Sequence, residues 1–332
     1  MRAAWYQRGG PAHQVLQLGQ MKVPAPKAGE VRVRIAWSAV NPYDVKKRAN
    51  GRELPTFSRI VPHCDGSGII EAVGTGVPNE RVGERVWLLG AQAHQAQGTP
   101  AQHCVLPEWK AVPLPAAASF ADGACLGIPA VTAHRALFAD GPIADSHVLV
   151  IGATGRVGAY AVQLARHAGA SVIATSRSPE ASDELRALGA EHVLSLRDPE
   201  FAARVGEITG GHGVDRIVES AFGRNIDSDA RVLADDGVIA AYGFDDDPQP
   251  KVPCLRLTAR NAVCRFIGIF SMRRSEQVRA FEHINACLEQ GVLQHRVGRR
   301  FGFEDIAAAH DAIEVGRVYG AALVAIGEAA EA

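Results

Sequence analysis

Apolar and polar positions alternate with period two along Val31-Arg-Val-Arg-Ile-Ala36, which predicts a strand with one buried and one wet face. Gly66–Val73 and Glu84–Leu89 predict two more strands. Turn-forming residues punctuate them at Pro24–Pro26, Asn41-Pro42, Gly74–Gly76 and Pro113–Pro115. Short strands at such intervals predict a small barrel or sandwich over the first hundred or so residues. Near residue 120 the pattern changes. Leu126–Phe138 reads as a helix, and apolar runs without alternation then take turns with helical segments. The runs are His147–Ile151, Ser171–Thr175, Glu191–Leu194, Asp215–Glu219, Gly237–Tyr242 and Val263–Gly268; Arg156–His167 is an amphipathic helix among them. Strands apolar on both faces, alternating with helices, imply a parallel sheet covered on both sides. Beyond residue 270 the chain predicts a helix, a shorter one at Phe303–Val315, and a last apolar run, Ala321–Ile326. That run needs a sheet to join, and the N-terminal β-rich part is its natural host.

Length and charge narrow the classes. A chain of 332 residues points to two domains. With 35 Lys and Arg against 36 Asp and Glu, the formal charge of −1 gives no field for gathering nucleic acid or an anionic membrane. Apolar residues at 47% and charged ones at 21% exclude global disorder. No apolar run approaches the roughly 18 residues of a membrane span, and Met1–Arg8 has no apolar core of a secretory signal. The six cysteines are far apart with no Cys-x-x-Cys, so reduced, mostly buried thiols are expected. These features predict a soluble cytoplasmic protein.

The sharpest motif is Val148-Leu-Val-Ile151-Gly152-Ala153-Thr154-Gly155-Arg156-Val157-Gly158. A buried strand runs into a glycine-rich turn and a helix follows at once. Gly155 lets the backbone approach a pyrophosphate, Gly158 lets the helix pack on the strand, and the helix N-terminus offers free N–H groups. The end of the next strand selects the cofactor. It reads Ala174-Thr175-Ser176-Arg177-Ser178, with no acid for a ribose 2′-hydroxyl and one arginine for a 2′-phosphate. NADPH is therefore favoured over NADH.

With these residues in view, the chain resembles the medium-chain dehydrogenase/reductase superfamily, and within it the zinc-free quinone oxidoreductases related to zeta-crystallin. Val40-Asn41-Pro42-Tyr43-Asp44 matches that family's V-N-P-x-D segment, and Pro62–Gly74 its P-x-x-D-x-x-G-x-x-x-x-V-G segment. Leu126–Ala133 matches the stretch opening the cofactor domain, and Gly152–Gly158 with Ala161–Ala165 the pyrophosphate loop and helix. The resemblance implies an α/β protein: a GroES-like β-barrel catalytic domain, residues 1–122 completed by 269–332, plus a doubly wound parallel-sheet Rossmann domain, residues 123–268. It also implies a homodimer joined through edge strands of the cofactor domains.

The same resemblance bears on metal. Asn41, Cys64 and Ile128 stand where zinc relatives carry Cys, His and Cys, and an isoleucine supplies no donor. His63 and Cys64, read as neighbours on an extended segment, point opposite ways and chelate poorly. No metal is expected. Without a Lewis acid, a quinone or conjugated carbonyl remains a feasible hydride acceptor. Asn41 and Thr132 match positions near the nicotinamide and are the candidate donors to the developing oxyanion. Tyr242, Gly243 and Phe244 follow a strand end and are expected at the cofactor, as is the Phe266–Phe270 stretch, Phe270 above all; otherwise Phe266 is core. Three departures weaken the match. The loop Arg48–Leu54 has no tyrosine, Ala181 follows Glu180 where relatives have lysine, and Ala321 replaces another lysine after Gly320. His134 reads as a packed helix residue and Asp245–Asp247 as a solvated loop. The leading expectation is an NADPH-dependent quinone reductase. The alternatives are a reductase of α,β-unsaturated carbonyl compounds and an NADPH-binding structural or sensor protein with little turnover.

Overall fold

The computed structural model describes residues 1–244, 247 and 249–327. The chain forms two compact units. One comprises Met1–Ile128, Phe281–Glu289 and His295–Ala332; the other comprises Pro129–Ala280 and Gln290–Gln294.

The spine of the first unit is the strand Glu30–Val40, longer than its alternating stretch because both faces are buried from Ala36 onward. It pairs antiparallel with Asp65–Val73 on one edge. On its other edge it takes His103–Pro107 and, further along, Ala321–Ala325. The last apolar run thus returns to the N-terminal sheet. Val297–Phe301, unmarked by any alternation, extends that end in parallel, while Arg85–Leu88 and Ala111–Pro113 extend the other. Val33, Ile35, Ile70, Val86, Leu106 and Val324 belong to the core of this sheet.

The expected turn at Asn41-Pro42 opens a helix, Pro42–Asn50. Asn41 is its N-cap, Pro42 sits at the first position where a missing N–H costs nothing, and Asp44 completes a capping box. Gly51 at φ +58° closes it in the left-handed conformation. Its buried residues are Asp44, Val45, Lys47 and Arg48, so three of four are charged and no apolar period announces the helix.

The second unit is a six-stranded, all-parallel sheet ordered His192–Leu194, Ser171–Thr175, His147–Val150, Val214–Glu219, Leu233–Ala241, Val263–Phe266. Every parallel strand read from the sequence is present, with ends displaced by a few residues. Phe120–Phe138 is helical but broken at Gly127 (φ −4°, ψ −109°), two residues before Pro129. Phe303–Val315 is a short 3₁₀ turn followed by the helix Ile306–Glu314.

Two side expectations need correction. Phe266 is 62% exposed on the edge strand and packs against Phe222 and Phe244, so it is not core. His63 is not extended: its φ is +63°, and its direction comes from that turn rather than from strand alternation. All six cysteines are free; Cys64, Cys104, Cys125 and Cys287 are buried, Cys264 is half-buried and Cys254 is exposed. Among the described residues no helix is long and apolar enough to cross a membrane. Asp245 and Asp246 of the acid run lie outside the described residues.

Candidate active site

The glycine-rich turn of the second unit is shaped by close backbone packing. Gly152 lies at φ +71°, where a Cβ would meet the Ser220 hydroxyl at 2.5 Å. Its N–H donates to Thr175 Oγ1 at 3.1 Å, tying the turn to the neighbouring strand. Gly155 caps the helix Arg156–His167 and is exposed. Gly158 has no room for a side chain, since a Cβ would lie 2.4 Å from Gly152 O and 2.7 Å from Ala153 Cα. With no side chain between them, Ala153, Thr154, Arg156 and Val157 frame a turn that leads into the helix N-terminus, where the aligned peptide dipoles leave a partial positive charge.

Ser176 and Arg177 follow the second strand. Ser176 is buried, donates to Ser178 O at 2.8 Å and accepts from Ser178 N at 3.1 Å, which folds the backbone so that the next side chain stands outward. Arg177 is exposed and forms no hydrogen bond or ion pair among the described residues. Beyond the fifth strand, Gly243 passes so close to Ser220 that a Cβ would lie 1.8 Å from its carbonyl oxygen. The Tyr242 hydroxyl is hydrogen-bonded to Ser220, and burial holds its pKa above the ordinary range. Phe244 meets Phe222 edge-on and packs tilted against Phe266. Phe270 is half-buried in the turn Ile269–Ser271, and Thr132 is buried on the long helix.

Two buried carboxyls that the sequence reading passed over stand beneath this end of the sheet. Glu219 and Asp229 are buried as close neighbours, at 0% and 1% exposure. Burial raises both, Asp229 further because Glu219 repels its charge. Asn225 Nδ2 donates to both oxygens of Glu219, at 3.1 and 3.3 Å. Asp229 is therefore the partner that keeps a proton.

In the first unit, Asn41 is 2% exposed at the strand end and held on all sides. Its Nδ2 donates to Asp65 Oδ2 at 2.8 Å, its backbone N–H to Asp44 Oδ2 at 2.8 Å, and its side chain accepts the Asp44 N–H. Asp44 also accepts the Cys64 N–H at 3.2 Å. Burial pushes the Asp44 carboxyl up to about 6, against the opposing pull of these hydrogen bonds and of Lys47. Burial likewise pushes the Cys64 thiol well up, with Asp44 and Asp65 adding repulsion, so it stays protonated. Lys47 is 3% exposed and paired with Glu53 at 2.7 Å. Behind Asn41 runs a second buried chain: Thr99 Oγ1 donates to Asp65 O at 2.7 Å, Ser38 Oγ lies 2.6 Å from Thr99 Oγ1, and His63 Nδ1 lies 2.7 Å from Ser38 Oγ. His63 Nε2 then meets His310 Nε2 at 2.8 Å. Burial lowers His63 to about 3, and burial with His63 and Arg48 nearby lowers His310, so both rings are neutral. Sequence spacing could not have found these pairs; only Asp44 left a signal, in the Asn-x-x-Asp capping pattern.

The family models agree with this architecture. Residues 27–116 match the alcohol dehydrogenase GroES-like domain, and residues 157–285 match the zinc-binding dehydrogenase domain. A 2-haloacrylate reductase from Burkholderia sp is 30% identical over 320 residues, 93% of this chain and 94% of its own. The chain belongs to the medium-chain dehydrogenase/reductase superfamily. Within it, rat quinone oxidoreductase is 29% identical over 93% of this chain and 92% of that protein. A mycobacterial quinone oxidoreductase of solved structure is 26% identical, with a TM-score of 0.87 over 98% of this chain and 99% of that one. These place the chain in the quinone oxidoreductase branch.

The zinc in the second domain's description finds no fitting donors here. Asn41 and Ile128 offer an amide and an aliphatic chain, Asp65 Oδ2 already accepts two hydrogen bonds, and among the described residues no three His, Cys, Asp or Glu side chains gather as a metal site. NADPH does fit, through the glycine cradle and the unpaired Arg177.

Proposed function

We propose that this superfamily member is an NADPH-dependent, zinc-independent oxidoreductase acting on quinones, with α,β-unsaturated carbonyl compounds as the second acceptor class. The observation that carries most is an exposed, partnerless Arg177 at a strand end without an acid, beside a cradle that excludes side chains. The names of the rat and Burkholderia relatives supply the two acceptor classes.

Bound NADPH supplies the hydride. Gly152 to Gly158 would hold its pyrophosphate at the helix N-terminus, and Ser176 with Arg177 would hold the 2′-phosphate. Tyr242, Gly243, Phe244 and Phe270 would line the nicotinamide end. Asn41 and Thr132 are the candidate donors to the acceptor oxygen, and a neutral donor suffices because a quinone or enone spreads the arriving charge over its conjugated system. The protein works as a cytoplasmic homodimer. Supporting the dimer, Val263–Phe266 is a sheet edge and Val252, Leu255, Val263 and Phe266 are exposed apolar residues near it in the chain.

NADPH oxidation followed by absorbance, with 1,4-benzoquinone and then an enone, each with and without EDTA, tests the reading. Turnover indifferent to EDTA is expected, fastest with the quinone. Saturable NADPH binding without turnover on either acceptor would replace it with a cofactor-binding role.

A further inference from the structure

Three backbone segments meet at Asn41. Asp44 and Asp65 tie them. Asp44 Oδ2 accepts the Asn41 backbone N–H at 2.8 Å, and its Oδ1 accepts the Cys64 N–H at 3.2 Å. Asp65 Oδ2 accepts the Asn41 side-chain amide at 2.8 Å and the Ile128 backbone N–H, also at 2.8 Å. Both carboxyls are buried, at 2% and 0% exposure, so water does not substitute for either. The segments so joined carry residues 41, 64 and 128, the three positions at which zinc relatives place their metal ligands.

A second observation bears on Asp65. The helix Phe120–Phe138 breaks at Gly127, and a Cβ there would lie 2.1 Å from Asp65 Oδ1. The carboxyl therefore fills the notch that the break opens. Removing the glycine's vacancy or the carboxyl would move the same point of the chain.

Resting on the reading that Asn41 faces the acceptor, we propose that Asp65, with Asp44, forms a carboxylate clamp that fixes Asn41 and the Gly127 break. The clamp does by hydrogen bonds what coordination to a cation would do at these positions. Asp65 is then a positioning residue: it touches neither acceptor nor cofactor, and it orients the Asn41 amide by claiming Nδ2 while the Asp44 N–H claims the oxygen.

The test is a double-mutant cycle on the full-length protein, read by melting temperature, NADPH affinity and kcat. Asp65→Ala removes the one oxygen that accepts both the Asn41 amide and the Ile128 N–H, so Asn41 is free to turn or shift. A displacement of that kind lowers kcat by about 10- to 100-fold, with a lower melting temperature and unchanged NADPH affinity. Asp65→Asn is the conservative variant: its carbonyl oxygen takes the Oδ2 place and keeps both bonds, so it holds most of the wild-type kcat and melting temperature. The second arm of the cycle is Asn41→Ala. If Asp65 acts through Asn41, Asp65→Ala costs little further kcat once Asn41 is gone. Should Asp65→Ala fail to fold while Asp65→Asn folds, that contrast is the same result. Wild-type kcat and melting temperature in Asp65→Ala, or kcat losses that simply add in the double variant, would overturn the clamp. If the wild type turns over no acceptor, the reductase reading fails while the melting cycle still decides the clamp.

Discussion

In the second unit the proposed nucleotide cradle is made of backbone. Gly152, Gly155 and Gly158 remove side chains so that a turn and a helix start can close on each other, and the neighbouring positions matter chiefly for their N–H groups. In the first unit the surround of Asn41 is made of side chains. Asp44, Asp65, Lys47, Ser38, His63, Thr99 and His310 are all buried and nearly all are bonded to a residue from a distant stretch of the chain. A backbone-built site tolerates almost nothing at a few positions and almost anything elsewhere. A side-chain-built one spreads its requirement over many residues, each of which fails only with its partner.

The largest break in this contrast is Gly158→Ala. The added methyl meets backbone atoms at 2.4 and 2.7 Å, which cannot swing aside as a side chain would. Forced overpacking of this kind costs up to about 3 kcal/mol. Placed on the cradle geometry, that corresponds to about a 100-fold rise in NADPH Kd, measured by fluorescence titration. An unchanged Kd would show that the phosphates bind elsewhere. Arg177→Ala is the next step down. It leaves the cradle intact and deletes one charged hydrogen-bonding group, about 2 kcal/mol and so about 30-fold in NADPH Kd. NADH affinity should not move, and an equal loss for both cofactors would remove Arg177 from the 2′-phosphate.

The contrast also explains what could be read from the chain. The parallel strands and the glycine turn were legible because each is a local pattern: an apolar run, then glycines three apart, then a helix. The strand Glu30–Val40 was legible only while one face was wet, and its last four residues lost the alternation by being buried on both sides. Val297–Phe301 is exposed over most of its length, carries Arg299 and Arg300, and gave no sign of being a strand. The helix Pro42–Asn50 hid because its buried side is Asp44, Lys47 and Arg48. Asn41 and Asp65 each stand in the sequence as motif letters. Nothing in their spacing says that one oxygen of Asp65 serves both Asn41 and Ile128, since that depends on a sheet register and a helix break set by tertiary packing.

The smallest expected effect separates the two units by the sign of their response to pH. The first unit buries His63 and His310 as neutral rings, with pKa values lowered below 6.5. Such groups add stability that is present above the unfolded value and lost as pH falls toward the folded one, because the unfolded chain takes up the protons. Asp44 in the same unit, raised to about 6, opposes them by losing stability as pH rises. With His103 and His295 also lowered by burial, four bases stand against one acid, so unfolding of this unit takes up protons between roughly pH 4 and 6. The second unit buries Asp229 beside Glu219, both raised. Their contribution is fully present below the unfolded carboxyl values and is lost as pH rises through the folded ones. Over the same interval the two units therefore move in opposite directions: acid loosens the first and tightens the second. Native-state hydrogen exchange, corrected for intrinsic rates, reads this as falling protection in Glu30–Val40 and rising protection in Val214–Glu219 as pH drops from about 6 to 4. Asp229→Asn keeps a donor for Glu219 and removes the titrating carboxyl, so it should flatten the second response while leaving the first untouched. Parallel slopes in the two strands, or a slope in Val214–Glu219 that survives Asp229→Asn, would mean that the buried acid pair does not govern that unit's stability.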